Sequence, residues 1–169
     1  MLSFLRKCRG DGAGLPPRPG AKNVLLAWCG GVLAIGMLGA LASHGAAVLI
    51  LGSFGASCVL VFGYPDVPFA QPRNVVVGHG LSSAIGLLFL ALCGPTWWGM
   101  ALAAGTACAL MMATRTVHPP AGSNPVIVFL GHPGWGFLFF PTLAGAVLIV
   151  LIALVYNNAT RDARYPKYW

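Results

Sequence analysis

The sequence predicts an all-α, polytopic transmembrane bundle, with four spanning helices and two broken or re-entrant apolar segments in a weak internal repeat. Three observations lead there. Of 169 residues, 57% are hydrophobic and 8% charged, where a soluble domain carries roughly a quarter charged. There is no glutamate, and Asp11, Asp66 and Asp162 are the only acids. The charges are also segregated: Arg6, Lys7, Arg9, Arg18 and Lys22 precede the first apolar stretch, Arg161, Arg164 and Lys167 follow the last, and only Asp66, Arg73 and Arg115 lie between. Finally, several apolar runs approach the ~20 residues that cross a hydrocarbon core of ~30 Å.

The net charge of +7 does not indicate nucleic acid, because basic nucleic-acid domains carry their charge along a folded surface. Here it is confined mainly to the tails, as expected of cytoplasmic flanks under the positive-inside rule. Both termini are therefore expected in the cytoplasm, of a bacterial cytoplasmic membrane, with an even number of crossings and the lipid bilayer as the surrounding partner.

Taken in order, residues 1–23 are a flexible basic tail, 24–156 the transmembrane domain and 157–169 a short basic and aromatic tail. Val24–Ala42 is the first span. It exceeds the 7–15 residues of a signal-peptide core, so it is expected to remain uncleaved. A second run, Gly45–Gly63, is interrupted by Gly52, Ser53 and Gly55, and a turn with Pro65, Pro68 and Pro72 follows. Val75–Cys93 is a clear span, and Gly94-Pro95 a tight turn. Trp97 and Trp98 stand where interfacial aromatics stand. Trp98–Thr114 carries small residues (Ala101, Ala103, Ala104, Gly105, Ala107) that permit close helix packing. Arg115–Trp135 is the least regular stretch, and its apolar part, Val126–Leu130, is too short to cross. Phe137–Tyr156, with Pro141 near its start, is the last span.

The halves look alike: full span, histidine with small residues, broken apolar piece, Pro/Gly-rich turn, full span. Ser43–Ile50 (SHGAAVLI) resembles Val117–Ile127 (VHPPAGSNPVI). Paired broken segments in matching positions point to a transport site. Val126–Leu130 favours four spans with both broken pieces re-entrant on one face; six crossings with inverted halves is the alternative.

The chemistry concentrates in those pieces. Asn124 is a good N-cap and Pro125 suits the first helical position, so a short helix is expected from Pro125 through Leu130. A helix amino end inside the membrane, carrying roughly half a positive charge, is an anion site, with Ser123 and Asn124 beside it. Pro119 and Pro120 hold the approach extended and supply no donors. Ser53 and Ser57, in GSFGAS, are candidates for the same task in the first half. Of the four histidines, His79 lies inside a span, where an ionisable group is costly and points to function. His118 and His44 precede the broken pieces, and a coupled proton on His79 or His118 is open because imidazole titrates near physiological pH. Arg73 and Arg115 flank the broken segments and could draw in and orient a small anion. A histidine metal site is a rival, although no H-x-x-x-H pair or carboxylate partner supports it. No nucleophile–base–acid set or phosphate loop is present, so neither an enzyme nor a cofactor is expected. The cysteines lack close pairing, and the four in apolar stretches are expected to be small buried side chains.

The run TVHPPAGSNP (Thr116–Pro125), with GSFGASCVLVF (Gly52–Phe62) and QPRNVVVGH (Gln71–His79), resembles the HPP family of membrane proteins. The resemblance covers roughly residues 25–156. It implies a four-span membrane domain and a transport role, with His118, Pro119 and Pro120 as signature residues. Plant members are associated with nitrite movement into chloroplasts, which makes nitrite the implied substrate. Some relatives carry a regulatory CBS domain after the membrane part; no such sequence lies within residues 1–169. The expected function is thus transport of a small inorganic anion, in a chain whose few spans are compatible with a homo-oligomer. A non-transporting scaffold or partner subunit is the alternative.

Overall fold

The computed structural model describes residues 7–8, 11–44 and 50–169. They form α1 (Ala21–Ser43), α2 (Gly52–Cys58), α3 (Pro72–Cys93), α4 (Trp97–Ala113), α5 (Asn124–Gly131) and α6 (Ala144–Thr160). Single tight or wide turns extend them: a π turn over Val59–Gly63 prolongs α2, a 3₁₀ turn over Pro119–Ser123 leads into α5, and Trp135–Leu138 and Phe139–Leu143 lead into α6. Three runs are long and apolar enough to cross a membrane: Ala21–Ser43 (23 residues), Pro72–Cys93 (22) and Trp135–Thr160 (26). The last is kinked at Phe140, whose φ of −129° and ψ of 120° are not helical. α4 has 17 residues, a rise of about 26 Å, with Trp97 and Trp98 at its start.

Local chemistry sets the helix ends. Pro72 opens α3, where its missing N–H costs nothing, and the Thr96 hydroxyl caps α4 by accepting from the Gly99 N–H at 3.2 Å. α4 ends in a Schellman motif: Thr116 N–H donates to Met111 O (2.8 Å) and Arg115 N–H to Met112 O (3.1 Å). Arg115 sits there with φ +56°, the left-handed conformation that glycine usually supplies.

The expected re-entrant pieces do not turn back. Side-chain neighbours place Ile50 beside Gly39, Cys58 beside Gly31, Phe62 beside Gly30 and Gly63 beside Ala27. The α2 segment therefore runs antiparallel to α1 for about 18 Å and ends where α1 began. Asn74 bonds Val117, Gly78 touches His118, Gly86 touches Pro125 and Val128, and Gly99 touches Phe129. The second broken segment thus runs parallel to α3 from its start almost to its end. The physical reason, visible in the second segment, is that the piece need not be a complete helix: its approach through His118 and the Pro119–Ser123 turn is irregular backbone held against α3, where neighbouring groups satisfy it. These segments alternate in direction, so α1–α2–α3 and α4–α5–α6 are two three-segment units of opposite sense. Every charged residue from Arg18 onward lies at the end holding the start of α1 and the close of α6. The connections described at the other end, residues 94–96 and 132–134, contain no charged residue, and the sequence has none in residues 44–51.

The bundle is polar inside and apolar outside. Leu25, Trp28, Val32, Leu92, Met112, Leu130 and Val155 are exposed, while Ser57, Gln71, His79, Ser82, Ser83, His118, Asn124, Thr142 and Asn157 are fully buried. Leu38, Phe54, Val61, Phe62, Val75, Ile149 and Ala153 form the apolar core between α1, α2, α3 and α6. Of the four apolar-stretch cysteines only Cys58 is buried; Cys29 and Cys93 are half-buried and Cys108 exposed, because they fall on outward faces where a thiol meets lipid at little cost. The π turn after α2 frees carbonyls, and α6 satisfies them: Asn157 Nδ2 donates to Val61 O at 3.0 Å and Arg161 Nη2 to Phe62 O at 2.6 Å. The C-terminal residues fold back over the Pro65–Gln71 turn. Lys167 pairs with Asp66 at 2.9 Å, and buried Tyr165 donates to Ala70 O at 2.8 Å. Burial pushes that phenol above its ordinary value, so it remains a donor throughout the physiological range.

Candidate functional site: a buried histidine chain between the broken passes

α3 carries Asn74, Gly78, His79, Ser82, Ser83 and Gly86 within its buried residues, a polar and small-residue stripe at spacings of three and four that faces inward as one surface. The glycines let the second broken pass come close. A Cβ on Gly78 would stand 2.8 Å from the His118 Cβ, and one on Gly86 2.9 Å from the Pro125 Cα. Ser82 Oγ donates to Ala121 O at 2.6 Å and holds the turn that follows His118.

His79 and His118 meet edge to face, with ring centroids 4.9 Å apart, both fully buried. Ser57 of α2 stands between them, its Oγ 2.9 Å from His79 Nε2 and 2.8 Å from His118 Nε2. It also lies 3.0 Å from Ser53 O. His118 Nδ1 is 2.7 Å from Phe69 O. Asn124 Nδ2 is 3.0 Å from His79 Nδ1 and donates to Ser83 Oγ at 2.9 Å. Ser83 in turn is 3.2 Å from Thr142 Oγ1 at the start of the last pass. One hydrogen-bonded chain therefore links Phe69, His118, Ser57, His79, Asn124, Ser83 and Thr142, and both broken passes contribute to it. Phe54 packs its ring edge to face on His79 at 5.1 Å. Among the described residues only two buried side-chain polar atoms lack a partner, Ser53 Oγ and Asn124 Oδ1. Both belong to this cluster.

The other expected residues fall differently. Asn124 is not an N-cap: α5 starts at Asn124 itself, continuing the Pro119–Ser123 turn. The amino end is thus displaced to Pro119 and Pro120, which have no N–H; Ala121 N–H bonds back to His118 O at 2.9 Å and Asn124 N–H to Ala121 O. That end is a poor anion cradle, and its chemistry has passed to the Asn124 side chain. Ser123 is exposed and donates to Pro120 O, which leaves it outside the cluster. His44 is exposed at the far end of α1 beside Ala40 O, away from His79 and His118; its following residues, 45–49, lie outside the described residues. Arg73 and Arg115 do share an end, but it is the end of the tails. The Arg73 guanidinium is engaged, donating to Arg115 O (2.8 Å) and Thr114 O (3.0 Å), a cation on the carbonyl end of α4. Among the described residues no three His, Cys, Asp or Glu side chains gather as metal ligands.

The sequence reading missed Asn74, Ser82, Ser83 and Thr142. Their signal was present: small polar residues every three or four positions inside an apolar span, which lipid-facing surfaces avoid. The separate roles of Arg115 can be tested by one substitution. Arg115→Gly relieves a left-handed non-glycine residue, worth about 1 kcal/mol after glycine's own entropy cost. Thermal stability in detergent should hold or rise slightly, and a fall in anion flux in the same protein would assign the side chain to anion capture.

The family model described as HPP, transmembrane region, matches residues 16–166. A transmembrane protein of Dictyostelium discoideum is 34% identical over an alignment covering 100% of this chain and 64% of the relative. A second transmembrane protein of that organism is 32% identical, with 100% and 58% covered. The chain thus spans less than two thirds of the length of these curated relatives. No solved structure matches it.

Proposed function

The chain belongs to the HPP transmembrane-region family, and on that premise we propose that it is a transporter or channel for a small inorganic anion, nitrite first among them, with movement coupled to protons. The observation that carries this reading is the pair of buried, unpartnered atoms, Ser53 Oγ and Asn124 Oδ1. Leaving a buried polar group unpaired costs about 1–3 kcal/mol, and the two flank paired imidazoles where two discontinuous passes meet. Discontinuous passes of inverted three-helix units are where secondary transporters place their substrate. Six crossings fit the alternating directions of the passes. The concentration of charge at one end supports two cytoplasmic termini under the positive-inside rule, in a bacterial cytoplasmic membrane. Inorganic nitrite is the substrate that the family resemblance implies, and two ionisable rings in a hydrocarbon interior support proton coupling.

Nitrite uptake into proteoliposomes, under inward proton gradients of several sizes, tests the reading. Uptake above empty liposomes that grows with the gradient, and is lost in His118→Ala, is the expected result. No uptake of nitrite or other small anions by folded, inserted protein would remove the transport reading in favour of a membrane scaffold.

A further inference from the structure

Of the three long helices, α1 is the least embedded in the bundle. Its buried residues are Gly30, Ala34 and Leu38, one narrow stripe. Beside that stripe, α1 and the α2 segment enclose a groove of about 590 Å³, within the size range of small-ligand sites. Glycines make its floor. Gly31 lies against Cys58, Gly63 against Ala27, and a Cβ built on Gly55 would meet nothing within 4 Å. Trp28, Val32 and Val59 stand along its sides, each more than half exposed. The lining reaches along α1 from Asn23 to Gly36, a rise of about 20 Å. That exceeds one leaflet's ~15 Å share of the hydrocarbon core. The length and the scarcity of polar atoms suit a hydrocarbon chain.

The tail-side end of the groove has different chemistry. Pro19, Val24 and Trp28 also line an adjoining hollow that contains Arg18. Among the described residues Arg18 makes no ion pair; the one such pair is Lys167 with Asp66. α1 begins at Ala21, which lines the same hollow, with no side-chain cap and no acid in its first turn. The N–H groups of Ala21, Lys22 and Asn23 precede the first helical bond, from Val24 N–H to Gly20 O at 3.2 Å. The positive end of the helix therefore opens beside the Arg18 guanidinium. Neither lining contains an acidic residue. Lys22 takes the opposite side of α1, in a cleft with Asp66 and Asp162, where its charge is offset.

We propose that this groove binds one anionic phospholipid from the tail-side leaflet. An acyl chain lies over Gly31, Gly55 and Gly63, and the phosphate meets Arg18 and the amino end of α1. A second copy of the chain fits less well. Packed about a twofold axis in the same membrane, it would bring its own Arg18 toward this one, with no acid in either lining to separate them. A zwitterionic lipid would fill the groove with its chain but bring a cationic group to Arg18.

The experiment titrates the full chain in detergent with dioleoyl phosphatidylglycerol and, separately, dioleoyl phosphatidylcholine, and counts bound lipid by native mass spectrometry. One phosphatidylglycerol per chain should be retained, with an affinity about tenfold above that for phosphatidylcholine. Arg18→Gln should reduce this preference about fivefold and leave phosphatidylcholine binding as it was. Arg164→Gln, at the same end of the bundle and outside the groove, should change neither. Gly55→Leu places a side chain in the open groove and should weaken both lipids alike, with thermal unfolding unchanged or raised by the better helix former. Gly36→Leu, where a Cβ also meets nothing within 4 Å, is the second filling variant. Excess inorganic phosphate should leave the lipid bound. Equal retention of the two lipids, or a preference that Arg18→Gln does not reduce, overturns the proposal. Phosphatidylglycerol binding that both filling variants leave unchanged puts the lipid elsewhere and overturns it as well. So does full displacement by phosphate, which would mean a surface anion site, or a lipid-free dimer that both filling variants break.

Discussion

Gly86→Ala should lower the stability of the detergent-solubilised protein by about 1–3 kcal/mol, the usual cost of an added methyl group in a packed interior. The new Cβ would lie 2.9 Å from the Pro125 Cα and 3.3 Å from two atoms of Val128. The nearest obstacle is backbone, so no side-chain rotation makes room; α3 and the second broken pass must move apart. Pro125 adjoins Asn124, so the shift also draws the amide from His79 and Ser83, and nitrite uptake should fall with stability. Gly105→Ala is the control, because a Cβ there meets nothing within 4 Å. In an exposed helical position it should be neutral or stabilise by about 0.5–1 kcal/mol. Thermal unfolding of the two variants side by side checks both. Equal melting curves would mean the two passes are not in the contact described.

Gln71→Leu should be as damaging, through unpaired backbone. Gln71 is fully buried, and its Nε2 donates to Pro65 O at 2.9 Å and Val67 O at 3.0 Å. Its Oε1 accepts from the Lys167 N–H at 2.7 Å. Leucine fills the same space and pairs none of these three groups, each costing about 1–3 kcal/mol if left buried. The cheapest escape is for the C-terminal residues to detach and let water reach the turn. Limited trypsin digestion read by mass spectrometry should then show cleavage after Arg164 in Gln71→Leu under conditions that spare the unaltered protein. Loosening the turn also frees the Phe69 carbonyl that orients His118, so proton-coupled uptake should fall in the same variant.

The helical membrane character was legible from composition alone, since few charges and long apolar runs leave no other way to satisfy a backbone in lipid. The number of passes was not. Val126–Leu130 is too short to cross as a helix, and it took the packing of Gly78 and Gly86 against His118 and Pro125 to show that irregular backbone extends this segment alongside α3. His79, His118, Ser57 and Asn124 could be selected as polar residues in apolar surroundings, but their mutual contacts span separations of up to 61 positions along the chain, which spacing cannot encode. Asn124 illustrates the limit: local rules made it a cap, and the tertiary neighbour His79 claimed its amide instead. Arg73 looked like a free cation because the carbonyls it serves, of Thr114 and Arg115, lie far along the chain.

The separation of charge between the ends makes the two mouths electrically unequal. One face carries Arg18, Lys22, Arg73, Arg115, Arg161, Arg164 and Lys167 against Asp66 and Asp162, and the connections on the other carry no formal charge. A basic rim concentrates anions within about a Debye length, ~8 Å at physiological salt, while the bare face leaves them at bulk concentration. Under the anion-transport proposal the protein is therefore polarised end to end. Its occupancy from the tail side is raised by its own field, and from the opposite side it depends on bulk concentration and whatever proton gradient the membrane maintains.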